Sequence, residues 1–346
     1  METKKKKISP FLLFFCILMG VTAVLCTTVA GLWLHGRSSL TQTDQAPALP
    51  VEDSSGSVLD ENIIAYNGKR YRYNQDMCNI LLLGIDSDET PDSAQGAHDQ
   101  ADVLVLAALD MAGSKMTLIS VPRDILCDFE ILDKNGNSSG VINSHLALAY
   151  AYGDGRHQSC RITADAVSNI FYGLPIHGYG AFYMLGIGPL NDAVGGVPVT
   201  VLDDIILNEV PGASRLVPGA EVVLNAREAD VYLRIRLEYQ ADANQHRMQR
   251  QKQYMLSLIN QAKERIKENP ASLMTMYDAV DEYILTDLDI GQISYLATKA
   301  VSMDFTGDIR SLSGEFTLDE ENRAVLELDQ QALFDLMLDV FYTEIP

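Results

Sequence analysis

The segment Leu233-Arg-Ile-Arg-Leu237 alternates apolar and cationic residues without a break. Read as a strand, it places Arg234 and Arg236 on one face, about 6–7 Å apart. Two cations so placed repel unless an anion lies between them; a solvated edge strand with two surface arginines is the plainer alternative. A second polar pair follows. Asp242, with Gln245 three positions later, forms a helix-capping pattern, and the helix it opens is expected to reach about Lys267. Its apolar stripe reads Met248, Met255, Leu258, Ala262 and Ile266, and Gln251 falls inside it. A buried amide needs partners, so Gln251 either caps internal backbone or faces a ligand. Arg247 precedes it by four residues on the same face. Both belong to the first turns of the helix, where the dipole and the free N–H groups favour an anion. The chemistry these residues suit is the holding of one anionic ligand.

Elements that would position such a site are legible upstream. Asn79-Ile-Leu-Leu-Leu-Gly-Ile85 is a continuous apolar run, the pattern of a central strand buried on both faces. Asp102–Leu109 and Lys115–Val121 read as two more strands, and the short Met111–Ser114 turn makes them a hairpin. Helices are expected over Asn143–Tyr152, Thr163–Tyr172 and Leu185–Val194, each stopped by glycine, with a strand at Val197–Val201. Asn225 and Glu228 form a capping box behind Leu224 and open a short helix that gives way to the Leu233–Leu237 strand. The fold class is α/β, one domain with a mixed central sheet flanked by helices.

The chain has 346 residues, 47% of them apolar, enough for a large core. It carries 47 acidic against 26 basic side chains. Lys4, Lys5, Lys6, Lys7 and Arg37 against Glu2 leave the first 37 residues at +4, so the remainder of a −21 chain carries −25. A body that acidic is a poor partner for nucleic acid, whose phosphates demand a cationic surface; an anionic ligand must be met by a local arginine cluster. Phe11–Leu34 holds no charge. As a helix it spans the ~30 Å hydrocarbon core of a membrane. Lys4–Lys7 before it place the N-terminus in the cytoplasm and the body outside. The expected organisation is a basic N-terminus (1–10), a transmembrane helix (11–34) with Trp33 as its interfacial aromatic, an extracytoplasmic linker (35–70) and a folded body (71–346).

These motifs together resemble the LytR-CpsA-Psr family of membrane-anchored cell-wall glycopolymer transferases. The resemblance rests on Asn79-Ile-Leu-Leu-Leu-Gly-Ile-Asp86, Ala101-Asp102, Ser120-Val-Pro-Arg-Asp124, Ile142-Asn143, Gly195-Gly-Val-Pro-Val199, Leu233-Arg-Ile-Arg236 and Arg247-Met-Gln-Arg-Gln251, within residues 78–256. It implies transfer of a glycopolymer from a polyprenyl-pyrophosphate carrier to a peptidoglycan hydroxyl, forming a phosphodiester, and an apolar pocket for the prenyl tail. A hydrolytic pyrophosphatase and a non-catalytic lipid-carrier-binding envelope regulator are the alternative functions. It also implies Mg²⁺ held by Asp86 and Asp102, and a pyrophosphate bound by Arg123, Arg234, Arg236, Arg247 and Gln251. Asp86, Asp102, Arg234 and Arg236 are the expected catalytic set. The end of one strand and the start of the next is a place where a hard cation can meet two carboxylates.

One position departs from the pattern. Two residues before the second aspartate, where the family usually has arginine, this chain has Gln100, and glutamine cannot replace a bidentate guanidinium contact. Asp88, Glu89 and Asp92 read as a solvated acidic loop, Asp124 as the ion-pair partner of Arg123, and His145 and His177 as structural. Of the three cysteines beyond the apolar segment, Cys127 and Cys160 are expected to form a disulfide, with Cys78 a buried thiol.

Overall fold

Alternate residues of the central strands point to opposite faces, and both faces are buried. Leu81, Leu83, Ile85, Leu104, Leu106 and Ala108 enter one apolar cluster, while Cys78, Ile80, Val105, Ala107 and Leu109 enter another. This is the packing that a continuous apolar run requires. The computed structural model describes residues 31, 33–40, 45–50, 56–87, 89–91, 99–207, 215–235, 237, 243–319 and 322–346, with backbone only at 56–60, 243–245 and 305–308.

The chain runs through a helical segment α1 (33–40) and three short strands, β1 (Gly56–Asp60), β2 (Ile63–Tyr66) and β3 (Lys69–Tyr73). Next come β4 (Met77–Ile85), β5 (Ala101–Asp110), β6 (Lys115–Ser120), β7 (Leu126–Leu132) and β8 (Ser138–His145). Helices α2 (Ala147–Ala151) and α3 (His157–Ile170) precede β9 (Gly178–Tyr183) and α4 (Ile187–Ala193). The short strands β10 (Val197–Thr200), β11 (Ile205–Ile206), β12 (Arg215–Leu216) and β13 (Glu221–Leu224) lead into α5 (Ala226–Arg234) and α6 (Ala243–Glu268). The remainder is α7 (Ser272–Val280), β14 (Ile284–Thr286), α8 (Ile290–Ser302), β15 (Asp304–Ser311), β16 (Gly314–Leu318), β17 (Ala324–Leu328), α9 (Gln330–Phe341) and β18 (Tyr342–Ile345).

Six strands form the central sheet in the order β14-β9-β4-β5-β6-β15. The pairs β4–β9 and β6–β15 are parallel and the others antiparallel, so the sheet is mixed as expected. The β5–β6 hairpin is present as read. Residues of α2, α3 and α9 complete the cluster on one face. Residues of α6 and α8 complete the other. A third cluster joins α4, α5 and α6 to β10–β13.

Several expectations are corrected. The expected linker (35–70) instead includes most of α1 and the strands β1 and β2, which join β3 and β18 in a sheet ordered β1-β2-β3-β18. The missed signal is Asn67-Gly68, both at positive φ, a two-residue hairpin turn. The helix expected from Asn143 starts at Ala147. Asn143 instead stands opposite Asp128 in the β7–β8 hairpin, donating from Nδ2 to Asp128 Oδ1 at 2.7 Å. Trp33 lies against Tyr295, with ring centroids 5.1 Å apart. Among the described residues no helix is long and apolar enough to cross a membrane; most of the expected anchor, 11–34, lies outside them.

Cys127 and Cys160 are separate buried thiols, so the expected disulfide is not formed. Each sits inside the apolar cluster between sheet and helices, where packing already supplies what a bridge would add. Burial pushes the Cys127 thiol up to about 12, with Asp128 adding to it. Burial likewise raises Cys160 well above an ordinary thiol, Asp154 and Asp287 contributing. Only the thiolate is nucleophilic. Both are therefore expected to resist iodoacetamide in the native protein and to react after unfolding without reductant; a cross-linked peptide in that digest would restore the bridge.

Candidate functional site

The β4–β5 register builds the centre of the site. Gly84 pairs with Val103 and Ile85 with Ala101, so Asp102 is the extra residue of a bulge. A bulge bends the strand and re-aims the side chain it carries. Asp86 follows Ile85 directly, so the two carboxylates leave the same end of neighbouring strands. Each meets an arginine. Arg123, in the loop after β6, donates from Nη1 to Asp102 Oδ1, and its Nε lies 3.6 Å from Asp124 Oδ1. Arg234 Nη1 reaches Asp86 Oδ1 at 3.2 Å, while its Nε donates to Asp230 Oδ1 at 2.8 Å. Asp124 is thus a partner of Arg123, as expected, but Asp102 is the closer one.

Arg234 is not on a strand. It closes the last turn of α5, which the Asn225–Glu228 capping box opens. Leu233 is buried at four residues from Ala229, and residues four apart share a helical face. Ala229, Tyr232 and Leu233 face the core at helical spacing. The local alternation loses to this longer helical stripe. Residues 236 and 242, with their expected roles, lie outside the described residues.

What holds Arg234 is a buried arginine that pattern reading passed over. The last carbonyls of a helix have no partner within it; here α6 supplies donors. Arg250, 0% exposed, donates from Nε to the Tyr232 carbonyl at 2.8 Å and from Nη2 to the Ile235 carbonyl. Gln251 donates to the Leu233 carbonyl at 3.3 Å. Of the two roles open to Gln251, the structure shows the backbone cap. Arg250 also lies over the Tyr232 ring, 5.8 Å from its centroid, and its Nη1 donates to Asp203, which is 3% exposed. His246 Nδ1 is 2.7 Å from the other Asp203 oxygen. Burial alone would raise the Asp203 carboxyl, but the hydrogen bonds and charge of Arg250 and His246 outweigh it and hold it below the usual carboxylate range.

The expected stripe on α6 is therefore rotated. Met248 is 58% exposed, and Arg250 and Tyr254 are buried in its place, while Leu258, Ala262 and Ile266 pack as read. The 250–254–258–262 spacing was a signal that Arg250 faces inward; its acid, Asp203, is too far along the chain to be paired with it by pattern. Arg247 is half-buried one turn before Gln251. His145 and His177 have structural partners, Asp319 and the Asn79 amide.

Beside the charged groups the sheet offers apolar surface. Leu82 and Val103, 40% and 36% exposed, share a face with Gly84 and Gly180 by register. A Cβ on Gly84 would lie 2.9 Å from that of Val103, so the close strand pairing at this point requires glycine. Among the described residues no three or more His, Cys, Asp or Glu converge to cage a metal. Two carboxylates, with ligand phosphates and water making up the rest, is the way Mg²⁺ is commonly held, and Asp86 and Asp102 fit that limited role.

The profile of the LytR_cpsA_psr family matches residues 39–337. The cell wall biosynthesis protein LcpA of Corynebacterium glutamicum is 27% identical over 238 residues, 61% of this chain and 45% of that protein. The polyisoprenyl-teichoic acid–peptidoglycan teichoic acid transferase TagU of Enterococcus faecalis is 26% identical over 185 residues, 54% of this chain and 52% of that protein. The chain thus spans about half the length of these curated relatives. Among solved structures, gbs0355 from Streptococcus agalactiae gives a TM-score of 0.60 at 21% identity, covering 78% of this chain and 90% of that one. TagV of Bacillus subtilis gives 0.56 at 23%, covering 76% and 98%. At these identities the likeness is one of fold, and the family profile carries the assignment: the chain belongs to the LytR_cpsA_psr family.

Proposed function

We propose that the protein transfers a glycopolymer from a polyprenyl-pyrophosphate carrier to a peptidoglycan hydroxyl. The observation that carries this reading is the junction of two Asp–Arg pairs with the exposed apolar Leu82 and Val103 on one sheet. Charged groups beside exposed apolar residues suit a ligand with a pyrophosphate and a prenyl tail. The names of LcpA and TagU agree with it. The acceptor oxygen attacks the sugar-bearing phosphorus, the P–O bond to the bridging oxygen breaks, and polyprenyl phosphate leaves; the hydroxyl proton passes to a carboxylate or to the leaving group.

Asp86 and Asp102 would hold Mg²⁺, which neutralises charge on the phosphoryl oxygens when bound. Arg123 and Arg234 would then exchange their carboxylates for phosphate oxygens, and Arg236 and Arg247 complete the proposed pyrophosphate-binding set. Gln251 and Arg250 position Arg234 through the end of α5. In this reading residues 11–34 anchor the protein in the cytoplasmic membrane, with the N-terminus inside and the folded body outside.

The full chain in lipid nanodiscs, given a polyprenyl-pyrophosphate disaccharide, a peptidoglycan acceptor and Mg²⁺, tests the assignment. Product joined through phosphate supports transfer. Free sugar phosphate without joined product makes it a pyrophosphatase, and tight binding without either product makes it a carrier-binding protein. Arg234→Ala removes a charge-assisted contact worth ~1.5–3 kcal/mol, so donor binding should weaken roughly tenfold to a hundredfold. Its partners are about half-exposed carboxylates, so Tm should barely move. Gln100→Arg, at an exposed position beside the bulge, should tighten donor binding; weaker binding would point to a different headgroup.

A further inference from the structure

The end of the apolar N-terminal run is built into the domain. In α1, Trp33, Gly36 and Leu40 turn inward while Leu34, His35, Arg37 and Ser38 are exposed, a helical stripe of i, i+3, i+7. Leu40 is 1% exposed and lies in the apolar cluster shared by the sheet, α6 and α8. Gly36 faces the first turn of α8 so closely that a Cβ on it would stand 2.4 Å from the Gly291 carbonyl oxygen. Only glycine permits such an approach of two backbones. Trp33 meets Tyr295 edge to face, Gln292 Nε2 donates to Ser39 Oγ at 3.1 Å, and His35 Nε2 lies 3.5 Å from Asp289 Oδ2. Asp289 and Gln292 also form the capping box of α8, so α1 contacts a turn that is already fixed.

From this geometry we infer that α1 is a rigid joint that docks on α8 and holds the domain, and its site, at the membrane surface. Trp33 is one residue from the end of the uncharged run that closes at Leu34. A domain held at that point has at most about one helical turn of freedom from the bilayer. The docked layer includes Met255, Leu256 and Ile259 of α6, the helix whose Arg250 and Gln251 hold the end of α5. Membrane, joint and arginine site are thereby connected through packed helices. A flexible tether would instead dilute the site over the volume its length allows. The positional part of this inference rests on the membrane-anchored transferase reading; the docking itself does not.

The chain has a single tryptophan, so its fluorescence reports the joint directly. Full-length protein is placed in phosphatidylcholine–phosphatidylglycerol vesicles whose lipids carry bromine on the upper acyl chain. Docked Trp33 should be shielded, and Gly36→Leu, which cannot close on Gly291, should raise bromine quenching at least about twofold and deprotect the first turn of α8 to hydrogen exchange. Leu40→Asn, at the other end of α1, should do the same. Both variants should turn over a vesicle-embedded polyprenyl-pyrophosphate disaccharide roughly tenfold more slowly, while the same headgroup on a short water-soluble prenyl chain reacts at the wild-type rate. Equal quenching in wild type and variants overturns the docking. Undocked variants with full activity on the embedded donor overturn the positioning. A wild type that shields Trp33 yet turns over neither donor overturns the transferase reading and supports the joint.

Discussion

Arg250→Met should lower the stability of the folded domain by about 3–5 kcal/mol, the cost of leaving a buried charge without its partner. In a domain of this size that is a fall in Tm of roughly 10 °C. The pair is deeply placed, Arg250 at 0% and Asp203 at 3% exposure. The methionine fills similar volume, so the loss is one of charge and hydrogen bonds, including those to the Tyr232 and Ile235 carbonyls. Acidity supplies a second reading. In the wild type the Asp203 carboxyl is held low, so its contribution is present above the ordinary carboxylate pKa and fades as the pH drops through the lowered folded value. Without Arg250, burial is opposed by His246 alone and the Asp203 pKa should rise. The deficit of the variant should then shrink on going from pH 7 to about pH 4–5, as Asp203 protonates. Adding Asp203→Leu should recover part of the loss at neutral pH. A variant that melts within about 1 kcal/mol of wild type would show that the pair is not structural.

Asp102→Asn should reduce Mg²⁺-dependent turnover by about a hundredfold to a thousandfold, the usual scale for removing one electrostatic stabiliser of a transition state. Stability should change little. Asp102 and Arg123 are both partly exposed, and such pairs contribute ~0–1 kcal/mol. Arg123 retains Asp124. The two substitutions therefore differ in their readouts: Arg250→Met lowers melting, whereas Asp102→Asn lowers turnover with melting unchanged. A fully active Asp102→Asn protein with an unchanged Mg²⁺ requirement would remove Asp102 from the proposed metal site.

The central strands β4 and β5 were legible because most of their length is buried on both faces. The Ile80–Ile85 and Val103–Leu109 runs hold no polar side chain, and most of their residues enter one cluster or the other. The capping box at Asn225 was equally legible, since its partners are three residues apart. The expected strand from Leu233 is absent at its start because Leu233 continues the helical stripe of Ala229 and Tyr232 into the third cluster, which keeps Leu233 and Arg234 in α5. The Asn67-Gly68 turn was a readable signal for β2 and β3, but their sheet is completed by β18 from the far end of the chain.

The family, the mixed sheet, and the presence of carboxylates and arginines at strand ends were legible without the structure. These follow from contiguous patterns, in which residue type and spacing act through local backbone geometry. The tertiary structure alone decided which arginine is bound inside and which faces the site. Arg250 and Arg234 lie on successive helices of similar composition, and only the approach of Asp203 and of the α5 carbonyls separates them. It also decided that Cys127 and Cys160 stay apart and that the joint at Gly36 closes on α8. Each of these outcomes depends on contacts between segments far apart in the chain, and their energy arises only when the sheet and its helices have brought the partners together out of water.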